Sequence, residues 1–382
     1  MTSRTMVLAV LAFVMAFALL GNSAVKKLET NLAMRKIIIA AVHLPAAELS
    51  IPVPCMRPPL AGDFDRALVV EELSNLHINP RLQATLLCLL GDQAGAVAAY
   101  DRAAAGGDSW PALQAYYLHT RSGEMVAAGR SLDEVSLSSN DLSRFYWAVV
   151  QFDQQVDLLP LARKDVEGEP ANENAWRIWL DVGARQMRVK DYLKALDVYN
   201  EALSTQDRLG LQVGRSSFAL NIGRIYQSYL EPRQVETALS YYDQALAIDS
   251  FIYLSDQAAA YLYRGEVYRV LRPKFTNSQV IAEFQHVLEI DPNNYWARLD
   301  LANVYLYDLK DPDRAEAYIR QAMALLPENP NAYLYLGDLY KQKGNLAQAA
   351  VAYQQALDHQ PGLQSALARL AAVKAKMEQP AP

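Results

Sequence analysis

Apolar residues recur along most of the chain at the three-and-four spacing of amphipathic helices, and the segment from Pro330 to Pro361 shows it most clearly. Tyr333, Leu336, Gly337 and Tyr340 mark one face of a first helix. Ala349, Tyr353 and Ala356 mark one face of a second, and Pro361 stops it. Lys343-Gly344-Asn345 is the turn between them. Large residues alternate with small ones because the two helices must touch. Gly337, Ala349 and Ala356 admit the neighbouring backbone, while the tyrosines fill the space beside it. One such hairpin cannot bury its own apolar face, so it requires copies on either side.

The copies are present. Trp179, Val182, Gly183, Tyr192, Ala195, Tyr199 and Ala202 form one; Gly223, Tyr226, Ala238, Tyr242 and Ala245 form the next. Gly265, Tyr268, Val280, Phe284 and Pro292 form a third, and Ala302, Tyr305, Ala315, Ile319, Ala322 and Pro327 a fourth. Pro292 and Pro327 stand 35 residues apart, Pro327 and Pro361 stand 34 apart, and this spacing gives the period. Two inter-helix turns are longer than the period allows, one around Glu231-Pro232-Arg233 and one spanning residues 271–278. Earlier copies are degenerate. Ala84, Gly91, Ala96, Tyr100 and Ala103 keep the register, Trp110 to Leu132 gives a pair with its turn at Ser122-Gly123, and Asp141 to Glu167 gives a weaker pair. Ser365 to Met377, carrying Lys374 and Lys376, reads as a capping helix with a wetter outer face.

This pattern resembles the tetratricopeptide repeat (TPR), whose thirty-four-residue signature has Trp, Leu, Gly and Tyr on helix A, then Ala, an aromatic and Ala on helix B, then Pro. Tyr333 stands where that signature has Trp. The resemblance covers roughly residues 77 to 378 and is strong from Trp176 onward. It implies an all-α, right-handed superhelical solenoid of about eight hairpins plus a cap, with the A helices lining a concave groove.

The N-terminal pattern is different. Thr5 to Val25 is apolar almost without break, preceded by Arg4 and followed by Lys26 and Lys27. About twenty such residues span a bilayer, and a retained transmembrane anchor fits this length better than a signal peptide cleaved near Gly21-Asn22-Ser23-Ala24. The positive residues after the run favour a cytoplasmic body, whereas a short Arg-led apolar segment is the usual form of an export signal. The repeats are therefore expected on the outer face of the plasma membrane. Residues 26–44 read as a further helix that lies on the membrane or packs on the first repeats, and the prolines at 45, 52, 54, 58 and 59 as a semi-rigid connector. The organisation is thus residues 1–25 anchor or signal, 26–62 juxtamembrane helix and connector, 63–175 degenerate repeats, 176–363 clear repeats and 364–382 cap and tail.

With 382 residues, 52% apolar composition and a net charge of -6, the chain holds a large folded body without the basic face that nucleic acid requires. Cys55 and Cys88 lie far apart in no metal-ligand spacing, so neither a disulfide framework nor a metal site is expected, and Cys88 reads as a buried thiol. No lipidation signal surrounds Cys55. The five histidines are scattered, and no GxSxG, HExxH or glycine-rich phosphate loop occurs, so neither catalysis nor a cofactor is expected.

The resemblance implies binding. In the family, ligands lie in the concave groove against A-helix residues around the small-residue position. That register marks Asn221, Arg224 and Gln227; Tyr263, Glu266 and Arg269; Trp296, Asp300, Asn303 and Tyr307; and Asp338 and Lys341. The Lys/Asn set of the carboxylate-clamp subfamily is not reproduced, and Glu266, Asp300 and Asp338 make the groove mixed in sign. The expected function is a membrane-tethered scaffold holding protein or peptide partners of an envelope assembly. The alternatives are an accessory protein of a glycan-processing or polymer-export system, with groove aromatics meeting saccharide, and a structural subunit of a large membrane complex, with the long turns as its interface.

Overall fold

The computed structural model describes residues 55, 80, 83–84, 87–88, 91–106, 109–153 and 156–378. The apolar run of residues 5–25, the helix expected at 26–44, the Pro-rich connector and most of residues 63–90 lie outside the described residues. Among the described residues, no helix is long and apolar enough to cross a membrane.

Every regular element described is helical, and the chain divides into two units, Met1–Arg185 and Gln186–Pro382. The first holds α1 (Gln93–Ala104), α2 (Ser109–Arg121), α3 (Met125–Asp133), α4 (Ser139–Phe152), α5 (Leu159–Gly168) and most of α6 (Glu173–Arg188). α2 packs on both α1 and α3, α4 packs on α5, and α3 reaches α5. The buried core here includes Tyr100, Tyr116, Tyr117, Phe145, Tyr146, Trp176 and Trp179, the last two stacked with ring centroids 5.6 Å apart.

One expectation fails in this unit. Cys55 and Cys88 form a disulfide, with their α-carbons 4.7 Å apart and both residues buried. That separation falls inside the range a disulfide bridges. Sequence distance argued against the pair, but the two cysteines, 33 positions apart, meet in the fold.

The second unit runs through α7 (Tyr192–Leu209), α8 (Arg215–Ser228), α9 (Val235–Ile248), α10 (Leu254–Val270), α11 (Asn277–Ile290), α12 (Tyr295–Asn303), α13 (Pro312–Leu325), α14 (Pro330–Gln342), α15 (Leu346–His359) and α16 (Gln364–Glu378). Neighbours in sequence pack as hairpins: α8 on α9, α10 on α11, α12 on α13 and α14 on α15, with α16 closing on α15. α8 also meets α10, and α12 meets α14, so successive A helices lie side by side. This is the helical-hairpin stack that the periodicity predicts.

The hairpins close through the small-residue positions. A β-carbon on Gly223 would come within 2.5 Å of Tyr242 Cε1, and one on Gly265 within 2.7 Å of Phe284 Cε1. One on Gly337 would collide with the Tyr353 ring. The B helices start at a recurrent cap, in which Asp191, Asp311 and Asn345 each accept from the backbone N–H three residues on. Thr276 and Gln279 form a reciprocal capping box at α11. The second long turn therefore ends at Thr276, two residues before the sequence pattern places its end.

The 35-residue spacing has a structural cause. Nine residues separate Ala302 from the helix cap Asp311, whereas eight separate Gly337 from Asn345. The extra residue is taken up by a π-helical turn, Val304–Asp308, that continues α12. A single widened turn is the usual way for an α-helix to absorb one inserted residue.

Candidate functional site

The A-helix residues marked by register lie along α8, α10, α12 with its π turn, and α14. Most are half-buried and are joined to one another. On α8, Asn221 Nδ2 donates to the Ser217 carbonyl (2.8 Å), and Arg224 Nη1 donates to Asn221 Oδ1 (3.1 Å). The Arg224 guanidinium sits 5.3 Å from the Tyr263 ring centre, joining α8 to α10. Gln227 Nε2 donates to Glu266 Oε2 (2.9 Å), while Tyr242 Oη donates to Gln227 Oε1 (2.5 Å). On α10, Arg269 donates through Nη1 to Asp300 (2.6 Å) and through Nη2 to Asn303 Oδ1 (2.9 Å). Asn303 Nδ2 then donates to Tyr335 Oη (3.0 Å), and Tyr307 Oη to Asp338 (2.5 Å). Asp338 also accepts from Tyr353 and Arg369.

These residues form a polar strip that ties each A helix to the next. Trp296 and Tyr307, 50% and 38% exposed, stand out from it as aromatic surface, and Lys341 is exposed at its far end. Burial raises the Asp300 carboxyl to about pKa 7, with Glu266 adding to the rise and Arg269 working against it. Burial also raises Glu266, against the pull of Gln227 and Arg269.

Four of the marked residues, Gln227, Glu266, Arg269 and Asn303, line a cavity of about 480 Å³. Its remaining wall comes from Ser228, Arg233, Val235, Val270, Arg272 and Asp308. Arg233 belongs to the first long turn, Arg272 to the second, and Asp308 to the π turn. The groove register does not reach these three, yet each sits where the sequence breaks its period. Departure from the repeat was the signal that marks them. Arg272 Nη1 pairs with Asp308 Oδ1 at 2.5 Å, so the second turn is fastened to the widened helix.

His119 was also missed. It is buried in the first unit with Nδ1 2.6 Å from Glu124 and Nε2 3.2 Å from Asp101. Among the described residues, no three His, Cys, Asp or Glu side chains converge as metal ligands.

Tetratricopeptide repeat models match residues 283–317 and 306–377, so the chain carries repeats of this type. Many solved structures are similar to it. PilF of Pseudomonas aeruginosa is 17% identical, covering 62% of this chain and 97% of its own, with a TM-score of 0.47. A thermophilic TPR protein of Thermus thermophilus is 22% identical, covering 52% and 98%, with a TM-score of 0.40. YrrB, described as a TPR protein with an unusual peptide-binding site, is 17% identical, covering 54% and 96%, with a TM-score of 0.40. No curated protein matches the chain.

Proposed function

We propose that this protein is a membrane-tethered scaffold that binds an extended segment of a partner protein along its A-helix groove, without catalysis of its own. The observation that carries this reading is the cavity where A-helix residues of three successive hairpins meet both long turns. A stack of identical hairpins needs no such feature for stability. Here the period is broken three times, at residues 229–234, at residues 271–276 and in the π turn, and all three breaks open on one cavity. Groove and turns, which stand as rival interfaces in the sequence, become parts of one surface.

The tether rests on the apolar run of residues 5–25. Placement of the repeats outside the cytoplasm draws support from the Cys55–Cys88 pairing, since structural disulfides persist in oxidising compartments. Protease access in intact cells, read together with the mass of the mature N-terminus, tests both. Digestion only after the inner membrane is broken removes the outer-face assignment.

Binding is tested by selecting a random peptide library on the full-length chain. The selected peptides should lose most of their affinity for an Asn221→Ala, Asn303→Ala double variant and also for a variant with Arg233→Gly in the first long turn. Retained binding by both would place the interface elsewhere and end the groove reading.

A further inference from the structure

The turns that join each A helix to its B helix form a continuous row in the second unit. Tyr192, after the first turn, stacks on Tyr229 in the second with ring centroids 4.6 Å apart. Arg233 of the second turn and Arg272 of the third line one cavity. Arg272 pairs with Asp308 beside the fourth turn, and Lys343 of the fifth donates to Asp313 just after the fourth (3.1 Å). Five lysines are exposed along this row: Lys190, Lys194, Lys274, Lys310 and Lys341. None of the five has an ion-pair partner among the described residues.

The acids on the same turns are mostly engaged. Asp308 is held by Arg272, Asp311 by Arg314 and Asp313 by Lys343, while Asp191 accepts from the Lys194 backbone N–H. Glu231 and Glu236 remain exposed against the five lysines. Aliphatic side chains stand between the charges. Val189, Leu193 and Val270 are 68%, 65% and 67% exposed, and Leu309 is 42% exposed. Three of the four directly precede a lysine, as Val189-Lys190, Leu193-Lys194 and Leu309-Lys310. The opposite edge differs. Where α9, α11, α13 and α15 run into the next helix, Asp249, Glu289, Glu328 and Asp358 are exposed, and the loops there hold no lysine or arginine.

Exposed aliphatic groups interleaved with cations suit a surface that lies on a membrane. The lysine stems follow the apolar surface while their ammonium groups reach lipid phosphates. We propose that this turn edge docks on a bilayer carrying anionic lipid. Lysine offers a point charge without the planar fork that reads a particular carboxylate. That chemistry fits a field of phosphates better than the shaped surface of one acidic protein. Because the turns are joined into one row, their cations face the bilayer together and their attractions add. The docking needs neither the tether nor a groove partner; a tether only raises the local concentration of the edge at the bilayer.

The test mixes the full-length chain with nanodiscs of phosphatidylcholine, alone or with phosphatidylglycerol added, and reads lysine acetylation residue by residue by mass spectrometry. Lys190, Lys194, Lys274 and Lys310 should react several-fold more slowly with phosphatidylglycerol present, and high salt should restore their rates. Lys374 and Lys376 on the capping helix should react alike in both discs. A Lys194→Gln, Lys274→Gln variant should lose about 25-fold of its preference for anionic over neutral discs, roughly fivefold for each lysine, with no change in melting temperature. Equal reactivity of the turn lysines in both discs, or equal slowing of Lys374 and Lys376, overturns the docking surface. The tether is read separately, by co-fractionation with the neutral discs. Equal protection by soluble poly-glutamate without lipid also overturns the docking and assigns the row to an acidic protein.

Discussion

In the second unit, the buried carboxylates are met: Glu283 by Arg264 and Asp300 by Arg269. In the first unit, the Asp165 carboxyl is buried on α5 with no cation paired to it among the described residues and the Ser139 hydroxyl close by. The difference follows the register. Where the repeat holds, a donor on one A helix finds its acceptor one hairpin further along, as Gln227 finds Glu266, Arg269 finds Asn303 and Tyr307 finds Asp338. Where the register loosens, the same neighbour is not guaranteed at each step. Tyr146 still reaches Asp181 across one repeat, but Asp165 has no cation to meet it among the described residues. Regular spacing therefore satisfies polar groups as well as packing the core.

The comparison breaks most visibly at the disulfide. If the first unit relies on a covalent tie that the second does without, removing it must loosen one unit alone. Closing a loop of this length restricts the unfolded chain by about 3–4 kcal/mol. A Cys55→Ser, Cys88→Ser variant should show faster hydrogen exchange in residues 93–121 and no change in residues 330–359, read by mass spectrometry. Unchanged exchange in both would mean that the tie adds nothing to the first unit.

The second unit has its own point of failure, in packing. Gly337 lies under the Tyr353 ring with no room for a side chain, so Gly337→Val should cost about 3 kcal/mol by overpacking. Pairing it with Tyr353→Ala, itself a cavity mutation, should give a double variant less destabilised than the two costs added together. Strict additivity would show that the two residues do not share the contact.

Much of this was legible in the sequence, because the same physics wrote it several times. Gly337 with Tyr353 and Gly223 with Tyr242 repeat one contact, and each copy corroborates the rest. The A-helix register likewise marked Gln227, Glu266, Arg269 and Asn303, which share one cavity. Hidden from the pattern was everything carried by a departure from it. The one-residue surplus between Pro292 and Pro327 reads as noise until the π turn absorbs it and Asp308 meets Arg272. The Cys55–Cys88 and Asp101–His119–Glu124 contacts fall where the repeat is degenerate, so no second copy revealed which residues face each other.

Asp165 sharpens the comparison through pH. Burial raises its pKa to about 6, with Glu169 adding to the rise and Ser139 opposing it. A carboxyl whose folded pKa lies above its unfolded value favours the fold fully below the unfolded pKa and loses that contribution as pH rises through 6. At pH 8 the first unit therefore carries the cost of an unpaired buried charge. Asp165→Asn removes the charge and adds an amide donor near Ser139. The variant should be more stable by roughly 2 kcal/mol at pH 8, with the advantage shrinking between pH 6 and 4 and gone below pH 4. An advantage that persists unchanged at pH 4 would assign the gain to packing instead.

The smallest effect turns the glycine contrast around. Gly337 is required by the ring above it, but Gly129, inside α3 of the first unit, has no atom within 4 Å of where a β-carbon would stand and no positive φ. With no close packing there to demand a bare backbone, its only contribution is the conformational freedom it gives the unfolded chain. Gly129→Ala should then stabilise the first unit by about 0.5–1 kcal/mol. The gain should appear as slower exchange in residues 125–133, with groove binding unchanged. A loss of stability instead would mean that a neighbour does approach Gly129, and that the first unit is packed through small residues as closely as the second.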